Sequence, residues 1–279
     1  MDTDSTSPLA FLIAPPLLAG DTTLAGCLGH PDLLISEDCA LLLAPVYALR
    51  GSGIKAEYNA LEARQSLSNF LGATEGRSAY DAGLRQMAQH IYGHACRRAG
   101  RTHFVDAVYR NYYILGELAS LFPDARVIHI RLSPICFLSA TIREQCAGYP
   151  DRLKSCDGLY RDLYNAYQHL ARAPERFAER FLAIDHEDLC RDFAATRAAV
   201  HAHLGLETMP TSITPRIETE SEHLRYWQES CYRQRFLDVA REYIAFLGDD
   251  LLARHGYATA DQFDRLKALE SATATQDAR

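Results

Sequence analysis

Three groups of residues in this chain have the types and spacing to hold an anion or move a proton. Arg131 closes the apolar run "ARVIHIRL" (125–132), and Ser139 follows eight positions later. A guanidinium fork and a hydroxyl, both donors, suit a phosphate dianion. The turn "APPLLAGDTT" (14–23) follows a second apolar run, "LAFLI" (9–13). It offers Gly20, Thr22 and Thr23 where backbone N–H groups, hydroxyls and a helix N-terminus hold phosphate in many α/β proteins. Glu37 and Asp38 form a carboxylate pair in "GHPDLLISED" (29–38), and a partly desolvated carboxylate there could take a proton from a hydroxyl or an amine. Just behind them, Arg50 and Lys55 flank "GSGI", a basic, glycine-punctuated loop that could supply a cation or touch a substrate.

These residues need a scaffold, and the sequence predicts one. Buried parallel strands are expected at 9–14, 102–108, 125–132 and 180–186, with helical patterns between them. That rhythm predicts a single-domain α/β fold over residues 1–270, a central parallel sheet flanked by helices on both faces, and a flexible tail at 271–279. Open sheets of this kind bind ligands at the carboxyl ends of their strands, where Arg131 falls. Helices are expected over 80–100, ending on Arg97, Arg98 and Gly100, and over 111–125, 159–181 and 226–257. The stripe Tyr160, Tyr164, Tyr167 reads as core.

At this point the sequence resembles the sulfotransferases that use 3′-phosphoadenosine 5′-phosphosulfate (PAPS). "VDAVYRNYYILGELASLFPDARVIHIR" (105–131) is similar to the family's "DKTPxNY…LFPxAxxIxxxR" stretch. "FLAIDHEDLCRDFAATRAAVHAHLGL" (181–206) resembles its "RYEDLxxDPxxxxxxLxxFLGL", and 29–38 resembles the "xHPDxxxxEE" segment of the tyrosylprotein-type branch. The resemblance implies a P-loop-like fold. It assigns the 3′-phosphate to Arg131 and Ser139, and the 5′-phosphosulfate to the turn with Gly20, Thr22 and Thr23. Either Glu37 or Asp38 becomes the base, and Arg225, Arg233 or Arg235 takes the place of a late arginine returning to the nucleotide. The departures are specific. The family's loop cation falls at Ala19 or Leu17 depending on register, Asp21 replaces or adjoins the loop glycine, and the lysine of "DKTP" falls at Ala107.

Composition narrows the function classes. The chain has 279 residues, 48% hydrophobic and 23% charged, enough for a well-buried core, and a net charge of −7 that offers no broad surface for nucleic acid or anionic lipid. Eight scattered cysteines show no metal-ligand spacing and read as reduced thiols in a cytoplasmic protein. His90 and His94 have metal-pair spacing without a third ligand, and no metal is expected. His129 reads as a core histidine, and His186, Glu187 and Asp188 as a structural turn. The N-terminus lacks a basic region before its apolar run, and no membrane span is expected. The expected function is transfer of a sulfuryl group from PAPS to a hydroxyl or amine of a small molecule, as in natural-product biosynthesis. The alternatives are a sulfotransferase fold acting in another reaction on a small metabolite, or a non-catalytic binding subunit.

Overall fold

A computed structural model describes residues 8–14, 28–37, 39–47, 49, 59–155, 157–209 and 217–271, without the side chains at 157, 158, 160 and 161. Five parallel strands, β1 (Leu9–Ile13), β2 (Leu33–Ser36), β3 (His103–Asp106), β4 (Arg126–Arg131) and β5 (Phe181–Asp185), form one sheet in the order β2-β3-β1-β4-β5. The described helices follow in chain order as α1 (Leu43–Tyr47), α2 (Ala60–Ala73), α3 (Arg77–Ala99), α4 (Leu115–Leu121), α5 (Pro134–Gln145), α6 (Arg152–Ser155) and α7 (Asp157–Leu170). After them come α8 (Ala173–Phe177), α9 (His186–Arg191), α10 (Phe193–Leu204), α11 (Glu220–Glu229), α12 (Arg233–Arg254) and α13 (Thr259–Ser271).

Alternation along the strands divides the core in two, because successive side chains of a strand face opposite ways. Phe11, Ile13, Phe104 and Val127 belong to the larger core, with Tyr92 of α3, Leu118 of α4, Ile135 and Ile142 of α5 and Trp227 of α11. Ala10, Leu12, Val105, Ile128, Ile130 and Ile184 face the other way, against Leu189 of α9 and Phe193, Val200 and Leu204 of α10. The sheet is therefore covered on both faces, as the apolar runs predict. Among the described residues no helix is long and apolar enough to cross a membrane.

Three predicted helices are broken. The 111–125 segment begins as a 3₁₀ turn, Tyr109–Ile114, and only its second half is α-helical. In that turn the hydroxyls of Tyr112 and Tyr113 both donate to Asp162 Oδ1, at 2.8 and 2.7 Å, which ties the turn to α7. The 159–181 segment ends its first helix at Leu170, ahead of the Pro174 that starts the next one. The 226–257 segment divides at Ser230–Tyr232, and the Trp227 ring stacks on Phe236 across the break, 4.2 Å between centroids and 4° between planes. Gly100 adopts φ 65° and closes α3 as its sequence predicts.

Candidate functional site

The strand order places the site. From β1 the chain moves outward to β2 and returns through β3, then passes over β1 to reach β4, so the strands following β1 and those following β3 are added on opposite sides of β1. The carboxyl ends beside that reversal are where such sheets bind ligands. Along this edge lie Glu37 after β2, Asp106 and Ala107 at the end of β3, Arg131 at the end of β4 and Asp185 at the end of β5. Glu37 is solvent-exposed. Asp38, Leu17, Ala19, Gly20, Asp21, Thr22, Thr23, Arg50 and Lys55 lie outside the described residues.

β2 is held in place from below by histidines. The His30 Nδ1 accepts from Asp32 N at 3.0 Å, so its Nε2 is the donor to Glu207 O, also at 3.0 Å. His201 of α10 donates from Nε2 to Leu28 O at 3.0 Å, and Arg197 Nη2 donates to Gly29 O at 2.8 Å. Thus α10 anchors the segment that leads into β2 and Glu37.

Asp106 is wholly buried and fully used. Its Oδ2 accepts from Tyr92 OH at 2.7 Å, and its Oδ1 from Asn111 Nδ2 at 2.9 Å and Val108 N at 3.2 Å. Burial pushes its carboxyl above the usual range, against those three donors. Asp106 therefore ties β3 to the following turn and to α3. Ala107 donates its N–H to Ser36 O at 2.7 Å and brings no charge to the edge.

Arg131 and Asp185 are register partners across β4 and β5, and their side chains pair there, Nη2 to Oδ2 at 2.7 Å. The pair is partly exposed, at 30% and 46%, so it contributes at most about 1 kcal/mol to stability. The Nε of Arg131 is buried without a partner among the described residues, and its side chain borders a cavity of about 20 Å³ with Tyr109, Phe137, Tyr167 and Tyr257.

Ser139 lies elsewhere than that cavity. It is 0% exposed within α5, whose first turn carries Pro134. Its Oγ accepts the indole N–H of Trp227 at 2.7 Å and donates to His223 O at 3.4 Å. Turning that hydroxyl to a ligand would give up the bond to His223 O, whereas removing the oxygen would strand a buried indole N–H, a loss of about 1–3 kcal/mol. Arg225 is exposed on α11, on the side away from buried His223 and Trp227, while Arg235 is exposed on α12 within 4.0 Å of Asp151.

A second group was not singled out from the sequence. Arg143, one turn beyond Ser139 on α5, donates Nη1 and Nη2 to Glu218 Oε2 and Oε1 at 2.7 and 3.2 Å. The His223 Nδ1 stands 3.3 Å from Arg143 Nη1, and its Nε2 is buried with no partner among the described residues. Burial holds His223 down to about 4, and Arg143 holds the Glu218 carboxyl below the usual range. Helix α11 is fixed over this group by a capping box between Thr219 and Glu222, and by the Glu220 N–H donated to Glu187 Oε1 at 2.7 Å. The i, i+4 spacing of Ser139 and Arg143 was the available signal; the partner, Glu218, lies far away in the chain.

The groups to which the resemblance assigns the 3′-phosphate are partly engaged within the described residues. Ser139 is 0% exposed with its hydroxyl turned to His223 O, and Arg131 gives Nη2 to Asp185 while its Nε has no partner among the described residues.

A family model described as the sulfotransferase family matches residues 16–210. Among solved structures, the sulfotransferase domain of the Synechococcus PCC 7002 olefin synthase is 20% identical, with 74% of this chain and 77% of that one covered and a TM-score of 0.44. The sulfotransferase domain from the curacin biosynthetic pathway is 17% identical, with 78% and 81% covered and a TM-score of 0.48. A sulfotransferase from Alicyclobacillus acidocaldarius is 15% identical, with 86% and 95% covered and a TM-score of 0.41. No curated protein matches the chain.

Proposed function

The chain belongs to the sulfotransferase family, and from that premise we propose that it moves a sulfuryl group from an adenosine 5′-phosphosulfate nucleotide, PAPS in the family at large, to a hydroxyl or amine of a small-molecule acceptor. The observation that carries this reading is the family match itself, which spans the stretch from the first turn to the end of α10 and so includes both carboxylates and Arg131. The acceptor needs a base. Glu37 sits exposed at the carboxyl end of β2, with Asp38 next in the chain, and one of them takes the acceptor's proton as its oxygen or nitrogen attacks. Asp106, buried and saturated with donors, is no candidate for that role.

A second reading keeps the family and the enzyme but gives the fold another reaction on a small metabolite. The Arg131–Asp185 pair and the engaged Ser139 favour it, because both remove donors from the nucleotide edge. Thermal unfolding with added adenosine 3′,5′-bisphosphate and adenosine 5′-phosphate separates the two. The first reading predicts stabilisation by at least one of them, about 2.7 kcal/mol at a hundred times its dissociation constant. Unchanged unfolding with both at millimolar concentration would leave only the second.

A further inference from the structure

We propose that the anion half-site at the ends of β4 and β5 is filled by the chain's own carboxylates, so that this protein recognises a nucleotide without reading a 3′-phosphate. The proposal rests on the nucleotide reading above. Among the described residues the Arg131 Nη2, both terminal nitrogens of Arg143 and the Ser139 hydroxyl already have internal acceptors, whereas the buried Nε of Arg131 has none. Arg131 gives Nη2 to Asp185, a pairing built into the β4–β5 register. Arg143 gives both terminal nitrogens to Glu218, and Ser139 gives its hydrogen to His223 O while receiving that of Trp227. Glu218, His223 and Trp227 belong to one capped segment lying over α5, so the last two donors are held by a single element.

Charge points the same way. Selection for a dianion needs surplus positive charge, and here each guanidinium is matched by one carboxylate. A phosphate brought to Arg131 would share that guanidinium with Asp185, a like-charge contact that disfavours it. Ala107 adds no cation at the end of β3. A nucleotide with a 3′-hydroxyl meets none of this repulsion. The ligand class is therefore an adenosine 5′-phosphate or 5′-phosphosulfate whose 3′ position contributes no affinity.

The test is calorimetric titration of adenosine 5′-phosphate and adenosine 3′,5′-bisphosphate into the full chain and into an Asp185→Asn/Glu218→Gln variant whose folding is checked by its unfolding transition. In the natural chain the two affinities are expected to agree within about fivefold, whereas in the variant the bisphosphate gains about tenfold or more over the monophosphate. A larger preference for the bisphosphate in the natural chain, abolished by Arg131→Ala, would overturn the proposal. Equal affinities in both proteins would overturn it too, since the carboxylates would then be irrelevant. Should the natural chain bind neither nucleotide, the donor reading falls. The variant then decides this proposal alone: bisphosphate binding gained there supports it, and none gained refutes it.

Discussion

At Ser139 one hydroxyl has two possible employers, a ligand or the core, and the geometry assigns it to the core. Its oxygen takes the N–H of Trp227, the chain's single tryptophan, and its hydrogen goes to His223 O. Ser139→Ala is therefore expected to destabilise the fold by about 1–3 kcal/mol, the cost of a buried indole N–H left unpaired. Trp227→Phe keeps the face-to-face packing on Phe236 and removes that N–H, so in its background Ser139→Ala should cost much less. Urea unfolding of the two single variants and the double variant measures this coupling. Additive effects would show that the hydroxyl and the indole do not depend on each other. Glu37 is the opposite case, an exposed carboxylate without a partner among the described residues, which is what a proton acceptor for an incoming substrate needs.

At the scale of elements, legibility followed the apolar pattern. The strands around Phe11, Val105 and Ile128 are readable because each is a short run of buried residues, and β5 is readable from the apolar run "FLAI", although only Ile184 in it is buried. β2 is not: "LLIS" is four residues long with one buried side chain, and it runs straight into Glu37, so the carboxylates stand out there and the strand does not. Helix existence was legible and helix breaks were not. The break after Tyr109–Ile114 depends on Asp162, which draws in Tyr112, Tyr113 and Arg110 from about 50 residues away, and no local pattern announces such a partner. The site shows the same division. Arg131 could be placed at a strand end from its own neighbourhood, but Asp185, Glu218 and Trp227, which decide what Arg131, Arg143 and Ser139 are free to do, come from segments that only the fold brings near.

The whole molecule keeps many histidines buried and uncharged, and this sets how it responds to acid. Burial pushes His129 down to about 3 and His223 to about 4, and lowers His186 and His255 as well, from an ordinary value of 6.5. In the unfolded chain these rings take up protons below 6.5, while in the folded state they do not. Stability is therefore complete above about pH 6.5 and falls as the pH drops toward the folded-state values, by about 1.4 kcal/mol per pH unit for each such ring. Glu218, held below its usual 4.5, adds to the loss under more acidic conditions, whereas Asp106, held above its usual value, opposes it. Unfolding midpoints measured from about pH 7 to about pH 4 should fall steadily. A flat profile would mean that the histidines are not buried as described.

These buried groups support the carboxyl edge of the sheet, where we propose that the chemistry takes place. The most direct test is to incubate the protein with PAPS, and separately with adenosine 5′-phosphosulfate, together with a panel of small hydroxyl and amine acceptors and to look for sulfated product by mass spectrometry. The account predicts product from the natural chain, formed about a hundredfold or more slowly in Asp38→Asn or Glu37→Gln with the fold intact. No sulfated acceptor, or equal turnover in both variants, would contradict it.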